Sequence, residues 1–174
     1  INEAQLYEEN CFITLTYDDE HLPEDGSIHI PHFQKFMKRL RKEVVPLNPY
    51  SPTEQTEEYL KFQTKHALRF FHCGEYGEQC KNCKETRDKC ECVKFIAGLG
   101  RPHYHALIFN FDFTDKELYS DTDGQFLYTS ELLNQKWEMG QCWIGELNFN
   151  SAAYVARYVM KKITGNKAHD HYLN

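Results

Sequence analysis

A His-x-His pair at the start of an apolar run constrains this chain more than any other feature of its sequence. The stretch reads Gly100-Arg101-Pro102-His103-Tyr104-His105-Ala106-Leu107-Ile108-Phe109, and its apolar half predicts a buried β-strand. Side chains alternate between the two faces of a strand, so His103 and His105 point the same way and Tyr104 points the opposite way. Two imidazoles on one face of a rigid strand can chelate a single metal ion. The alternative is a half-buried strand that carries two incidental histidines.

Length, hydropathy and charge restrict the class of protein. The 174 residues are enough for a single domain, 1–174, with its own core. No apolar run approaches the length of a membrane span and no signal peptide is visible, so we expect a soluble, intracellular protein with no membrane partner. The formal net charge of -6 argues against nucleic-acid binding when taken alone. Local patches govern binding more than the total does, so the charge neither proves nor excludes DNA as a partner.

Basic residues concentrate on two predicted helices. The first runs from Pro31 to Pro46 and has apolar residues at helical spacing with a basic cluster largely between them. The second is the last helix of the chain. Each basic face either contacts DNA phosphates or is a solvated face over an apolar stripe. The candidate DNA-binding residues are Lys35, Lys38, Arg39, Arg41, Lys42, Arg157 and Lys162.

The seven cysteines form two groups. Cys11, Cys73 and Cys142 lie in apolar, strand-like runs and are predicted to be small core residues. The other four lie in a polar insertion, 78–99, as a Cys-x-x-Cys pair and a Cys-x-Cys pair, a spacing that is typical of zinc ligands. A structural Zn²⁺ would fold a loop too polar to bury a core; the alternative is four reduced surface thiols or an adventitious disulfide. The candidate zinc ligands are Cys80, Cys83, Cys90 and Cys92.

Strands and helices mix without regular βαβ alternation, which predicts an α+β fold with an antiparallel sheet and helices packed on it. Predicted strands cover 11–17, 67–76, 102–111 and 141–147. Besides the basic helix, we predict helices over 130–138, with Ser130 as a possible cap, and from Asn150 or Ser151 to about 163. Residues 47–58 are expected to be a polar connection and 112–124 an acidic, turn-rich one, while 61–65 have no clear assignment.

A carboxylate and two tyrosines extend the His-x-His pair into a candidate site. Glu75 lies at the end of the strand before the insertion, and with the histidines it would make a mixed N/O site for Mg²⁺ or Mn²⁺ with room for a phosphate. Tyr154 and Tyr158 share one helix face, with Lys161 three residues further on. A nearby cation favours a phenolate, which can attack phosphorus. The alternatives are a surface carboxylate and two core tyrosines.

These residues resemble, in order, the motifs of the HUH endonucleases that initiate rolling-circle replication, and in particular the initiators of microviruses, the small single-stranded DNA phages. Residues 12–17, FITLTY, are similar to the first motif of that family. His103-Tyr104-His105 looks like the motif that names the family, and Cys73-Gly74-Glu75-Tyr76-Gly77 resembles the strand with the third metal ligand. Tyr158 and Lys161 fit the Tyr-x-x-Lys motif, and Tyr154 adds the second tyrosine of the two-tyrosine branch.

The resemblance implies a five-stranded antiparallel sheet with flanking helices, the metal histidines on a central strand and the tyrosine helix beside them. It implies sequence- and strand-specific nicking of single-stranded DNA at a replication origin, with Tyr158, Tyr154 and Lys161 as catalytic residues and Glu75, His103 and His105 as metal ligands. The products would be a 5′-phosphotyrosine link and a free 3′-hydroxyl that starts rolling-circle replication of a phage genome. The chain departs from the family pattern in its cysteine-rich insertion.

The resemblance also implies partners and a location. Single-stranded DNA would be bound in the cytoplasm of a bacterial host. No P-loop is visible in the sequence, so unwinding would depend on another protein, and a host helicase and polymerase are possible partners. Two other hypotheses stay open: a plasmid, transposon or mobilisation nuclease of the same superfamily, and a non-catalytic, zinc-containing DNA-binding module. A covalent protein–DNA species would exclude the second of these.

Overall fold

The computed structural model describes residues 2–77 and 100–160, with the isolated positions 85, 89 and 91 between them. These residues form one antiparallel sheet of six strands in the spatial order β2-β3-β1-β6-β5-β4. The strands are β1 (Asn10–Thr16), β2 (Arg69–Tyr76), β3 (Pro102–Phe109), β4 (Glu117–Thr122), β5 (Gln125–Thr129) and β6 (Cys142–Gly145). The helices are α1 (Ile30–Val44), α2 (Glu57–Lys65), α3 (Glu131–Trp137) and α4 (Phe149–Met160).

The predicted α+β class with an antiparallel sheet is confirmed, but the expected count of five strands is wrong for the described residues, which contain six. The strands that the sequence analysis missed, β4 and β5, form a hairpin that begins within the expected turn-rich connection. Asp123 and Gly124 make its turn with φ of 52° and 77°, as a two-residue hairpin loop requires. Leu118 and Phe126 stay exposed, so the alternation in burial that reveals a strand is weak here.

Helix α2 lies in a region where the sequence analysis expected a connection or made no assignment. Its first turn is capped by Thr56, whose hydroxyl accepts a hydrogen bond from the backbone N–H of Tyr59 at 3.3 Å. The helix buries no residue, so it lacks the apolar stripe by which a helix is recognised in a sequence. No helix in the described ranges is both long and apolar enough to cross a bilayer.

The caps of the last two helices show which local signals worked. Ser130 caps α3 as expected, since its hydroxyl accepts from the N–H of Leu133 at 3.1 Å. Helix α4 begins at Phe149, slightly earlier than predicted, because Asn148 is the cap: its Oδ1 accepts from the N–H of Ser151 at 3.1 Å. The hydroxyl of Ser151 in turn accepts from the N–H of Asn148 at 2.9 Å, so the two residues cap each other.

One face of the sheet packs against α1 and α3, and we call it the α1/α3 face. Alternate residues of β1 and β3 meet the apolar stripe of α1 and the end of α3 here, and most are fully buried. This face holds the larger apolar core of the molecule and includes two of the cysteines that were predicted to be core residues. Its principal members are Cys11, Ile13, Leu15, Tyr104, Ile108, Cys142, Phe33, Phe36, Leu40 and Trp137.

The opposite face packs against α4, and we call it the α4 face. Val155 of α4 is fully buried against Cys73, Leu107 and Phe109, which form a smaller cluster. Cys73 is 6% exposed, so the third cysteine predicted to lie in the core is also confirmed as buried. Helix α4 lies over β2 and β3. The alternation of β3 that sends Tyr104 to the α1/α3 face therefore brings its neighbours in sequence under α4.

Candidate metal centre and tyrosine helix

His103 and His105 lie side by side on the α4 face, as the strand alternation predicts. Their ring centroids are 4.9 Å apart. Tyr104 between them is 1% exposed on the opposite face, where its hydroxyl donates a hydrogen bond to the carbonyl of His29 at 2.8 Å. The two imidazoles therefore project from one strand towards the same point under α4.

Glu75 completes a compact group with the two histidines. The antiparallel register of β2 and β3 places it directly beside His103. Its Oε2 lies 3.6 Å from Nε2 of His103 and 3.2 Å from Nε2 of His105. The three potential ligand atoms lie within 4.8 Å of one another, close enough to hold one metal ion. In the ranges that the structure describes, this is the one group of three or more His, Cys, Asp or Glu residues with that geometry.

The protonation states of this group suit a divalent cation. Burial alone would raise the pKa of Glu75, but hydrogen bonds from His103, His105, Tyr154 and Tyr158 outweigh it and hold the pKa well below its usual range. Burial lowers the pKa of His105, and the attraction of Glu75 only partly offsets that effect. The group thus offers a carboxylate and a neutral imidazole, and metal binding requires ligands in those forms.

Hydrogen bonds on the far side of each imidazole ring leave the inner nitrogen directed at Glu75. Nδ1 of His103 lies 3.2 Å from the carbonyl oxygen of Arg101, and Nδ1 of His105 lies 2.9 Å from the hydroxyl of Thr14. Nε2 of His105 is buried and has no hydrogen-bond partner of acceptable angle among the described residues. A buried imidazole nitrogen without a partner, beside a carboxylate, fits a site for a divalent ion with N and O ligands.

The two tyrosines of α4 lie against this group. The hydroxyl of Tyr154 donates a hydrogen bond to Oε2 of Glu75 at 2.8 Å, and its ring meets the ring of His105 edge-on, with centroids 5.1 Å apart. Tyr158 lies one turn further along, with its ring centroid 4.9 Å from that of Tyr154. Burial and the hydrogen bond to Glu75 raise the pKa of Tyr154. In the metal-free protein its phenol is therefore protonated and held towards the carboxylate.

The structure separates the two groups of candidate DNA-binding residues. Helix α1 covers the α1/α3 face, so its exposed residues Lys35, Lys38 and Lys42 project from the side of the molecule opposite to Glu75. Arg157 is exposed on α4, next to Tyr158 in sequence. The basic residues of α1 and those of α4 therefore cannot line the same part of one site.

Two arginines of the basic cluster have structural contacts. The guanidinium of Arg39 donates to the carbonyls of Lys136 and Trp137 at 2.8 and 3.1 Å, at the C-terminal end of α3. The guanidinium of Arg41 donates to the carbonyl of Leu68 at 3.1 Å and lies over the ring of Phe70. Cations at the end of a helix stabilise its unpaired carbonyls, so Arg39 joins α1 to α3.

Some predicted site residues lie outside the described residues. These are the four candidate zinc ligands, Cys80, Cys83, Cys90 and Cys92, and the two lysines that follow α4, Lys161 and Lys162.

Three contacts around the histidines were missed from the sequence. They are the hydroxyl of Thr14, the carbonyl of Arg101 and the ring of Phe12, which stacks on His105 with centroids 5.5 Å apart and planes 12° apart. Thr14 and Phe12 belong to the strand that was predicted first, but its register against β3 is a tertiary feature. The alternation of β1 gave a signal for their shared face and none for their partner.

The fold and this site define a class of protein: an α+β domain whose antiparallel sheet presents a metal-capable His/His/Glu group to two tyrosines of one helix. A sequence model of a family of replication-associated proteins, the ORF2 family, matches residues 80–163. That stretch contains both histidines and both tyrosines, and it ends before the last residues of the chain.

Individual relatives match more of the chain. It is 34% identical over 171 residues to replication-associated protein VP4 of Bdellovibrio phage phiMH2K, which covers 98% of the chain and 44% of that relative. It is 31% identical over 159 residues to replication-associated protein ORF2 of Spiroplasma virus 4, covering 88% of the chain and 39% of the relative. Replication-associated protein ORF4 of Chlamydia phage 1 is 27% identical over 165 residues, covering 92% of the chain and 32% of the relative.

The chain belongs to the family of phage replication-associated proteins, and the resemblance of its motifs to phage rolling-circle replication initiators is confirmed. It spans less than half the length of these relatives. No solved structure matches the chain.

Proposed function

We propose that this domain nicks single-stranded DNA at a phage replication origin through a tyrosine, by the chemistry of the HUH endonucleases. One observation carries the proposal: the hydroxyl of Tyr154 is hydrogen-bonded at 2.8 Å to the carboxylate of a metal-capable His/His/Glu group. A phenol held this close to a cation site can become a nucleophile towards a phosphate placed there. The phage relatives favour replication over plasmid transfer or transposition as the biological setting.

Glu75, His103 and His105 would hold a divalent ion, Mg²⁺ or Mn²⁺, which supplies positive charge for the scissile phosphate and for charge that develops in the transition state. The α4 face supplies the rest of the site. Phe12 and Tyr154 hold the ring of His105 from its face and its edge. Because the ligands lie on strands, their positions are set by the sheet before any substrate binds.

The reaction exchanges one phosphodiester for another. The phenolic oxygen of a tyrosine bonds to phosphorus, the bond from phosphorus to the 3′ oxygen breaks, and on balance the phenolic proton moves to the departing 3′ oxygen. The products are a 5′-phosphotyrosine ester and a free 3′-hydroxyl that primes synthesis. The ester conserves the energy of the bond, so the reverse reaction rejoins DNA without a nucleotide cofactor.

Two tyrosines allow two successive transfers. Tyr158 is our candidate for the first nucleophile, because Lys161 follows it by three residues and would neutralise its phenolate or the phosphate. Tyr154, one turn earlier, would attack the regenerated origin after a round of copying. The 4.9 Å between their ring centroids supports the idea that one phosphate position serves both hydroxyls after a small shift.

The remaining predicted residues would bind DNA or support the fold. Arg157 and Lys162 would contact phosphates near the tyrosines, and the basic residues of α1, Lys35 to Lys42, would contact DNA that passes around the opposite side of the domain. Unwinding and synthesis would fall to a helicase and a polymerase of the host, in the cytoplasm of the infected bacterium.

Cys80, Cys83, Cys90 and Cys92 would hold one structural Zn²⁺, separate from the catalytic ion, because thiolates select zinc and carboxylates with imidazoles select harder or borderline ions. Elemental analysis of freshly purified protein should find about one zinc per chain, and Cys80→Ser with Cys83→Ser should lose it. Two disulfides and no zinc would exclude this site.

The proposed activity is tested by trapping the covalent product. The protein is incubated with a pool of single-stranded oligonucleotides and Mn²⁺, boiled in detergent, and the attached DNA is sequenced. We expect a protein–DNA species with one recurrent sequence at its 5′ end. Tyr119→Phe, which alters an exposed tyrosine of β4, is a matched control that should leave the yield unchanged. Specific binding without any adduct would instead identify a non-catalytic DNA-binding module.

A further inference from the structure

Thr14 makes the one side-chain hydrogen bond to His105 that lies outside the Glu75 group. The register of β1 and β3 places Thr14 directly beside His105, and the alternation of β1 puts both on the α4 face. Its Oγ1 lies 2.9 Å from Nδ1 of His105. Threonine is branched at Cβ and its χ1 angle is restricted, so its hydroxyl is held in place by the strand itself.

The hydrogen bond has two possible directions, and the other side of the ring distinguishes them. A neutral imidazole carries one N–H and one lone pair. If Thr14 donated to Nδ1, the N–H would be at Nε2, which is buried and lacks a hydrogen-bond partner among the described residues. Oε2 of Glu75 is 3.2 Å from this nitrogen but at an unsuitable angle, and it already accepts from Tyr154. The opposite direction leaves no N–H unpaired.

We propose that Thr14 is a positioning residue: its Oγ1 accepts from Nδ1–H of His105, so that the lone pair of Nε2 faces Glu75 in the metal-free protein. The inference rests on the proposed role of Glu75, His103 and His105 as metal ligands and adds what prepares one of them. The lone pair and the carboxylate oxygen then face each other, an arrangement that a divalent cation stabilises. Without Thr14 the ring would populate both tautomers, and only one of them can bind the ion.

His103 provides an internal comparison within the same site. Its Nδ1 lies 3.2 Å from the carbonyl oxygen of Arg101, an acceptor that can receive a hydrogen bond but cannot donate one. The backbone therefore fixes the tautomer of His103, whereas a side chain fixes that of His105. A substitution at Thr14 should change one ring and leave the other unchanged.

The tautomers can be read directly by long-range ¹H–¹⁵N NMR of the metal-free protein at pH 8, with the ring signals assigned through His103→Gln and His105→Gln. We expect protonated Nδ1 and unprotonated Nε2 in both rings of the wild type. In Thr14→Val, which keeps the shape of the side chain, the Nε2–H form of His105 should appear while His103 is unchanged. The dissociation constant for Mn²⁺, measured by calorimetry, should rise about tenfold or more.

Two further variants separate positioning from a general structural effect. Thr14→Ser keeps the hydroxyl and should restore the tautomer and the Mn²⁺ affinity. Thr16→Val is the matched control: Thr16 pairs with His103 on the same face, but its hydroxyl donates to the carbonyl of Gln141 at 2.9 Å. It should leave the His105 tautomer as in the wild type.

A wild-type spectrum with His105 in the Nε2–H form would overturn the inference, even if Thr14→Val failed to fold. An unchanged tautomer and Mn²⁺ affinity in Thr14→Val would overturn it as well. Neither readout depends on nicking, so the two proposals can fail separately. The expected tautomers in a protein that binds Mn²⁺ but forms no DNA adduct would refute the proposed function and leave the role of Thr14 standing.

Discussion

The two faces of the sheet are built from the same strands and differ by one residue in register. On the α1/α3 face, Ile13 and Tyr104 are almost fully buried against aromatic and aliphatic side chains. On the α4 face, Glu75 and His105 are nearly as buried, 7% and 8% exposed, but they are charged or polar. One face carries an apolar core, and the other buries a carboxylate against two imidazoles and a phenol.

The comparison shows how a small domain separates stability from chemistry. Burying a carboxylate costs free energy unless it is hydrogen-bonded, and Glu75 is held by four side chains. The apolar core on the other face supplies stability that does not depend on that group. We therefore expect substitutions on the two faces to have different consequences, and the following predictions test that separation, from the largest expected effect to the smallest.

The largest effect should come from removing both imidazoles on the α4 face. His103→Ala with His105→Ala should abolish nicking, because no metal ion would then be held, while the apolar core keeps the domain folded. An oligonucleotide-cleavage assay with Mn²⁺ and a thermal unfolding curve measure the two properties. Tyr104→Phe is the control on the opposite face and should nick normally. Full activity of the double variant, or undiminished activity in a chelator, would show that the group is not catalytic.

The second effect concerns stability. Leu40 of α1 is fully buried on the α1/α3 face, so Leu40→Ala should lower the free energy of unfolding by about 2–5 kcal/mol. Leu147 is only partly buried beside the α4 cluster, and Leu147→Ala should cost less. Urea unfolding of both variants gives the comparison, and Mn²⁺ affinity below the transition should be unchanged in Leu40→Ala. Equal losses at the two positions would contradict a division in which the α1/α3 face dominates stability.

A smaller effect is expected on DNA affinity. Charge reversal of Lys35, Lys38 and Lys42 should weaken single-strand binding by roughly tenfold at moderate salt and flatten its salt dependence, because fewer phosphates are neutralised. These lysines avoid the structural contacts that Arg39 and Arg41 make within the fold. Affinities measured over a range of salt concentrations in the variant and in Arg157→Glu would compare the two faces. Unchanged binding in the α1 variant would identify that helix as a solvated face.

The smallest effect is the pH dependence of metal affinity. Glu75 stays ionised because its pKa is held low, so protons compete with the metal through the imidazoles. Affinity for Mn²⁺ should be full at pH 8 and fall by several-fold as the pH drops below about 6.5. Burial also lowers the pKa of His72, which stacks on Phe33 on the other face. His72→Gln should therefore leave the calorimetric pH profile unchanged, and a shifted profile would mean that the two faces are coupled.

How far the sequence predicted this structure depends on which kind of signal each part carries. Strand alternation placed His103 and His105 on one face and Tyr104 on the other, and apolar runs identified the buried strands and cysteines. The hairpin of β4 and β5 and helix α2 were missed because they bury few residues, so neither shows clear periodicity. The Asp123-Gly124 turn was the available signal for the hairpin.

The site shows a second limit. The family resemblance supplied Glu75 as a third ligand, and the register of β2 and β3 brings it beside His103. The pairing of Thr14 with His105 depends on which residues of β1 and β3 face each other, and no local pattern encodes that register. Contacts within one element were therefore predictable, whereas contacts that support the ligands from a neighbouring strand were not.

The central claim is that the tyrosines beside the metal-capable group become joined to DNA, and peptide mapping of the covalent adduct tests it most directly. The wild type, Tyr154→Phe, Tyr158→Phe and the double variant are each trapped on a substrate oligonucleotide, digested and sequenced by mass spectrometry. We predict an adduct mainly on Tyr158 in the wild type, a reduced adduct on Tyr154 in Tyr158→Phe, and none in the double variant. An adduct on neither tyrosine of α4, or a double variant that still forms one, would contradict the account.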